Sequence, residues 1–418
     1  MSSRAALLLE FHENIKHGNL APVWAAQSQY GYGDPTLLFT PPFALYISEF
    51  FYVLFADASL ALRATTFVLW LLAGTGMFAL TRRLLSKSPR NTGAASAIVA
   101  AFGYVLSISF LPHAELSAMA LIPCVVYAMI RLAQNPGRGT FVFSALTTAA
   151  LMTSHRRLSA VFLVFSILGV LIFRRKQIKK ISLLLGAQVC GLGLSAFYWL
   201  SRFAEQDLAH SSPSLAEVSD TLYLWLILCF LGTLLGALCL AQVISRWWQW
   251  AAVAIAILAV GYAQYRFVPF NLNVTEKTFL PSAVAAAPRL PARAPVEFAQ
   301  GRGEASCERR GPTILACQIM AITAASLRVN ILNFPLWQAL LNNKTKVAIK
   351  SERLTGTILL DVPPGKHALL CSLRNSSVRL TAKTISLVSF LVLLVILFQN
   401  QLMKTHSFSP KRVKRLAS

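Results

Sequence analysis

Long apolar runs separated by short basic turns set the pattern over the first two thirds of the chain. Nine runs are predicted as membrane spans, at residues 64–81, 94–111, 116–132, 140–153, 158–173, 181–200, 222–244, 247–262 and 385–399. Several fall below the ~20 residues that usually cross a bilayer, which helices lining a cavity or a thinned bilayer tolerate. Tyr198, Trp199, Tyr223, Trp225, Trp247 and Trp248 sit near run ends, where an interfacial aromatic belt belongs. An earlier run, 37–55, opens on Pro41-Pro42 and carries Glu49 in its middle. A carboxylate at mid-bilayer is expensive. The run is therefore expected as an amphipathic helix in the outer interface, with Phe43, Leu45, Phe50, Phe51 and Leu54 dipping into lipid. A span there would instead place the first 36 residues in the cytoplasm and leave everything downstream unchanged.

From 266 to 383 the pattern turns soluble. A Pro- and Ala-rich stretch (Pro281, Pro288, Pro291, Pro295) reads as irregular linker. Strand-like runs follow at 326–333, 346–349, 357–362 and 367–373, separated by turn signals at 341–344 and 363–365. Segments 333–343 and 354–367 are expected as neighbouring antiparallel strands, with Pro363-Pro364-Gly365 as a turn and Trp337 in the core. The organisation predicted is an outer loop (1–63) with its interfacial helix (37–55), a transmembrane domain of about eight spans (64–265), and an extracytoplasmic β domain (266–383). A last transmembrane helix (384–403) and a basic cytoplasmic tail (404–418) complete it.

Composition agrees: 418 residues are 56% apolar and 13% charged, with mean hydropathy +0.57, as in polytopic membrane proteins. The net charge of +23 is distributed by topology. Segments 82–90, 131–138, 174–180, Arg246 and 404–415 hold seventeen Lys and Arg and none of the 16 acidic residues. Basic loops stay inside, so every carboxylate lies at or beyond the outer face. Anionic membrane lipids, not nucleic acid, are the partner this charge implies. Of seven cysteines, none has metal-ligand spacing, and Cys307 and Cys317 are a candidate outer-face disulfide.

That topology gathers ionisable groups from distant loops: Glu10, His12, Asp34 and Glu49, then His113 and Glu115, then His155, Arg156 and Arg157, then Glu205. Convergence of this kind is the pattern of an active site. Each group also has a plainer role. His155-Arg156-Arg157 opens the run 158–173, where amides and guanidiniums cradle phosphate, or anchor to lipid headgroups. Glu115 at the start of a helix also complements its dipole. His12 and His113 are individually weak signals, and Glu205 also reads as a solvated loop charge.

The stretch GNLAPVWAAQSQYGYGDPTLLFTPP (18–42) resembles the first outer loop of bacterial membrane proteins labelled 6-pyruvoyl-tetrahydropterin-synthase-related. These are similar to glycosyltransferase C superfamily proteins. HAELSAMALIP (113–123), LMTSHRRLSA (151–160), GLGLSAFYWL (191–200), NFPLWQALLNN (333–343) and LTGTILLDVPPGKH (354–367) follow in the family's order. The resemblance implies an α-helical polytopic membrane protein, glycosyltransferase C-like, with a C-terminal extracytoplasmic β-sandwich-like domain and a final tethering helix in the bacterial cytoplasmic membrane. It implies transfer of a sugar from a polyprenyl-phosphate donor to an envelope acceptor at the outer face. Glu10 would be the catalytic base, with Asp34 and Glu115 as base or cation ligands. His12, His113, His155, Arg156, Arg157 and Glu205 would bind substrate, beside a divalent cation (magnesium or manganese) whose ligands stay unassigned. A non-catalytic subunit, binding polyprenyl lipid or an envelope-assembly protein, is the alternative. The family places a span before its first loop and its acid just after that span. The expectation is therefore a longer natural form, with Glu10 loosely held and this chain nearly inactive.

The charge asymmetry yields a direct test. A cysteine placed at Ile178 should react with membrane-permeant maleimides and not with impermeant ones applied from outside; external labelling there would reverse the topology.

Overall fold

The computed structural model describes residues 3–86, 90–109, 111, 113–155, 159–160, 162, 178–211, 279–282, 284, 291, 294–353 and 355–406. The expected spans 222–244 and 247–262, nearly all of 158–173 and the end of the basic tail lie outside them.

The helical part opens with α1 (Ser3–Lys16), α2 (Thr36–Phe39) and α3 (Phe43–Phe55), then α4 (Ala58–Leu84), α5 (Arg90–Ile108), α6 (His113–Gln134) and α7 (Arg138–Met152). After a break come α8 (Ile178–Leu194) and α9 (Ala196–Ala204), and α10 (Ser377–His406) closes the chain. Asp57 caps α4 by accepting from the Leu60 amide at 2.9 Å. Ala61, Thr65, Leu69, Ala73, Met77 and Leu80 then form a buried stripe at helical spacing. A Cβ at Gly76 would overlap the Cys124 thiol, so glycine lets α4 approach α6 closely.

Among the described residues three helices are long and apolar enough to cross a membrane: Ala58–Leu84, Glu115–Gln134 and Ser377–Phe398. Glu115–Gln134 is central, with 78% of its apolar window buried; Ser377–Phe398 is peripheral, with 11%. The expected single span 181–200 is broken instead. Ile181–Leu194 and Ala196–Ala204 are bent by 67°. Ser195 turns its hydroxyl back to the Gly191 carbonyl at 3.0 Å, and the Phe197 amide donates to Ser386 Oγ of α10 at 2.9 Å. A hydroxyl competing for the helix ladder and an outside acceptor at the next turn redirect the chain.

Run 37–55 is likewise two helices, separated at Pro41-Pro42, where missing amides end the first. Phe50 and Leu54 are exposed as expected, but Leu45 is buried in the protein. Glu49 is tolerated because it too faces inward, against His12.

The C-terminal strands form two sheets and a small pair. A four-stranded sheet runs β3 (Val296–Gln300), β6 (Ala325–Leu332), β10 (Thr357–Val362), β9 (Lys350–Ser351). A five-stranded sheet runs β4 (Gly303–Gly311), β5 (Ile314–Ala321), β11 (Gly365–Leu373), β7 (Trp337–Leu341), β8 (Thr345–Val347). The pair is β1 (Ala209–Ser211) with β2 (Phe279–Pro281). Segments 333–343 and 354–367 are not neighbours in the expected way: β7 pairs with β11, and β10 pairs with β6. Pro363 and Pro364 therefore do not close a hairpin. They carry the chain from one sheet to the other, where two residues without amide donors leave no ladder bond unmade. Cys307 and Cys317 face each other across β4 and β5 and are disulfide-bonded.

Both sheets bury side chains in one apolar cluster, and the first loop belongs to it. Val23, Trp24, Ala26, Leu38 and Phe39 lie there beside Leu327, Val329, Trp337, Ile358 and Leu369. The Trp24 ring meets Trp337 edge-on at 5.4 Å and Phe334 at 6.0 Å. Gly33, at φ +74°, passes so close to the indole that a Cβ would overlap it. Leu8 and Phe11 of α1 are fully buried, and Asn14 Nδ2 donates to the Glu10 carbonyl (2.8 Å) and the Trp24 carbonyl (3.0 Å). The expected loose N-terminal segment is thus a fixed one.

Trp24→Ala should destabilise the protein by about 3–5 kcal/mol, the cost of emptying a buried aromatic site. It should also open the first loop to protease, with thermal unfolding and limited proteolysis as the measurements. An unchanged digestion pattern would contradict this packing.

Candidate functional site

The basic turns and the candidate residues occupy opposite ends of the bundle. Arg83 at the end of α4 donates to Gln134 at the end of α6 at 2.6 Å. At the other end, the Phe43 amide of α3 bonds the Thr153 carbonyl beyond α7 at 3.1 Å. There His155 Nε2 lies 3.8 Å from Glu115 Oε1, which comes from the first turn of α6. Both side chains are largely buried, with 12% and 11% exposure. Two short turns forty residues apart in sequence thus join as an imidazole–carboxylate pair. At 3.8 Å the pair is an ion pair when histidine is protonated and too long for a direct hydrogen bond.

A second such pair is shorter. His12 Nδ1 of α1 and Glu49 Oε1 of α3 are 2.8 Å apart, and the His12 ring rests edge-on against Tyr52 at 4.7 Å. The other Glu49 oxygen, Oε2, is buried without a hydrogen-bond partner among the described residues.

Glu10 and Asp34 are bound more completely. Glu10 Oε2 accepts from the Ala26 amide at 2.7 Å and Oε1 from the Gln27 amide at 2.6 Å. Asp34 is fully buried; Oδ2 accepts from Ser28 Oγ (2.6 Å) and Gln29 Nε2 (3.0 Å), and Oδ1 from the Thr36 amide (3.0 Å). Arg309 of β4 reaches in to donate to the Ala26 carbonyl at 3.1 Å and attracts Glu10 electrostatically. Burial pushes both carboxyls above their ordinary values, 4.5 for Glu10 and 3.8 for Asp34. Loss of hydration outweighs the amide and hydroxyl bonds that favour the charged forms. Burial likewise lowers Arg309, and Glu10 partly restores it.

Glu205 is drawn elsewhere. Its Oε2 accepts from Arg379 Nε (2.8 Å) and Nη2 (2.5 Å) of α10, and its Oε1 bonds Ser376. With side chains 4% and 3% exposed, the pair is a buried clamp between the end of α9 and the start of α10, not a solvated loop charge. The His113 side chain, Arg156 and Arg157 fall outside the described residues. Among the described residues no three His, Cys, Asp or Glu converge as a metal-ligand set. Reading the chain alone missed Arg309 and Arg379. Each is one basic residue in a mixed polar segment, and only the folded register of β4 or α10 brings it to its carboxylate.

Residues 40–199 match the family model of dolichyl-phosphate-mannose-protein mannosyltransferases, a glycosyltransferase C-type family. The matched segment holds Glu49, Glu115 and His155; Glu10, His12 and Asp34 precede it and Glu205 follows it. With the apolar helices, this supports a membrane protein similar to glycosyltransferase C enzymes. It carries that part of the resemblance and not the pterin-synthase-related label. No curated protein and no solved structure matches the chain.

The raised carboxyls set a pH dependence. The folded state holds protons that the unfolded chain releases, so this stabilisation is complete below the ordinary values and is lost as pH rises through the folded ones. Tryptophan-monitored unfolding in detergent should show stability falling as pH rises above the ordinary values of 4.5 and 3.8. Glu10→Gln should flatten the slope; an equally steep slope in that variant would remove Glu10 from the linkage.

Proposed function

We propose that this protein transfers a sugar from a polyprenyl-phosphate donor to an envelope acceptor hydroxyl at the outer face of the cytoplasmic membrane. The observation that carries the reading is the Glu115–His155 pair, inside the matched segment 40–199 and at the bundle end opposite the basic turns. An acceptor hydroxyl needs a base within hydrogen-bond reach, and the departing lipid phosphate needs cationic stabilisation. In this reading Glu115 is the base and His155, with Arg156 and Arg157 beside it in sequence, receives the phosphate. His12 and Glu49 bind the sugar or acceptor through the open Glu49 oxygen, and His113, two residues before Glu115 in sequence, is assigned to the same substrate. Glu10 and Asp34 hold the first loop in shape through their bonds to it, and Glu205 sets α9 against α10. A magnesium-class ion takes one or two carboxylates and completes its shell with water and phosphate. Among the described residues no three His, Cys, Asp or Glu converge on such an ion, so Glu115 is assigned as the base alone.

The complete engagement of Glu10 and Asp34 also favours a second reading, a non-catalytic subunit that binds the lipid and does no transfer. Proteoliposomes carrying a short-chain polyprenyl-phosphate hexose separate the two. Wild type should release the sugar to an acceptor glycan, Glu115→Gln should lose about 10²–10⁴-fold, and Glu10→Gln should lose stability more than rate. Donor binding without turnover would select the second reading; absence of both binding and turnover would reject the first and the second alike.

A further inference from the structure

Strand β4 has little to hold it in place. It is the outermost strand of the five-stranded sheet and pairs with β5 alone. Its nine residues, Gly303 to Gly311, include no large apolar side chain, so it gains little from burial. The Cys307–Cys317 disulfide is its anchor: Cys317 is buried in the core, and half-buried Cys307 packs against that core. Beyond Cys307 the register shifts between Arg309 and Gly311. Such a bulge bends a strand and re-aims its side chains. Here it meets the first loop. The Arg309 guanidinium donates to the Ala26 carbonyl at 3.1 Å, while the Ala26 amide donates to Glu10 at 2.7 Å. One residue of the loop is thus gripped from both sides. A Cβ at Gly311 would stand 3.0 Å from the His17 ring, so the bulge also rests beside the end of α1.

We propose that the Cys307–Cys317 disulfide is a redox-sensitive clasp on the first loop: its reduction by a dithiol frees the end of β4 and withdraws Arg309 from Ala26 and Glu10. A thiolate of the dithiol attacks Cys307 Sγ, the half-buried sulfur at the sheet edge, and Cys317 leaves as a thiolate and takes up a proton. The second thiol then displaces Cys307 in the same way. Two electrons pass to the protein, and the reductant departs as a disulfide. Cys371 does not intercept the opened pair. It lies on β11 two residues from Leu369, the partner of Cys317, and burial pushes its thiol up to about 12. Almost no thiolate is then present to attack. The opening is local, because Trp24 packs against Trp337 of β7, three strands from β4 in the sheet. This inference stands independently of sugar transfer.

Hydrogen exchange of the full chain in nanodiscs, read by mass spectrometry before and after dithiothreitol, tests it. In wild type the Ala26 and Gln27 amides should exchange about tenfold faster once Cys307 and Cys317 can be alkylated. The Leu332 amide, which bonds the Tyr32 carbonyl, should be unchanged. Arg309→Met should exchange fast at Ala26 and Gln27 while still oxidised and gain nothing on reduction. Unchanged exchange in reduced wild type would overturn the proposal, a comparison that needs no variant to fold. So would an equal response to reduction in Arg309→Met. Loss of protection throughout both sheets on reduction would overturn it too, by making the disulfide a support of the whole domain. A native disulfide that dithiothreitol fails to reduce would have the same effect.

Discussion

The indole of Trp24, buried against Phe334 and Trp337, couples the two halves of the molecule. Without it the first loop would be a polar connection lying over a membrane bundle. With it, the loop becomes part of the core formed by the two sheets. A buried aromatic of this size contributes several kcal/mol, comparable to the net stability of a whole domain. The loop's polar groups are then obliged to satisfy one another, and Glu10 and Asp34 do so by accepting from its amides and hydroxyls.

Charge is handled in two ways at this end of the protein. Glu205 and Arg379 are buried together with matched geometry, so each covers the desolvation of the other, and removing either partner alone would strand a charge. Glu49 and Glu115 are held by histidine, a partner whose own charge is conditional. The first arrangement holds helices in register. The second sets an imidazole beside a carboxylate at each of two places near the first loop.

Much of the architecture was legible in the chain because it follows local rules. Ala58–Leu84, Glu115–Gln134 and Ser377–Phe398 announce themselves by apolar length, and β10 and β11 by period-two runs between turn residues. What escaped was decided by tertiary partners. The break at Ser195 depends on an acceptor supplied by Ser386, 191 residues later in sequence. The change of sheet at Pro363-Pro364 uses the same residues that would close a turn, and strand pairing alone distinguishes the two. Of the candidate side chains, Glu115 and His155 meet because two helices end at the same level, a consequence of antiparallel packing that sequence spacing does convey. The capture of Glu10 by the amides of Ala26 and Gln27 leaves no pattern to read.

The Pro363-Pro364 crossing and the Trp24 contact also bear on how the chain is made. Trp24 leaves the ribosome roughly 310 residues before Trp337, and synthesis at about 5–20 residues per second separates them by on the order of 15–60 s. Throughout that interval the indole lacks Phe334 and Trp337, while each membrane helix can insert as it emerges. β4 with β5 and β7 with β8 can pair as soon as they emerge, whereas the two sheets form only once the chain has passed from one to the other and back. The first loop is therefore covered by the sheets only after the helices that precede them have been made. Assembly is directional: the first loop waits for strands made long after it.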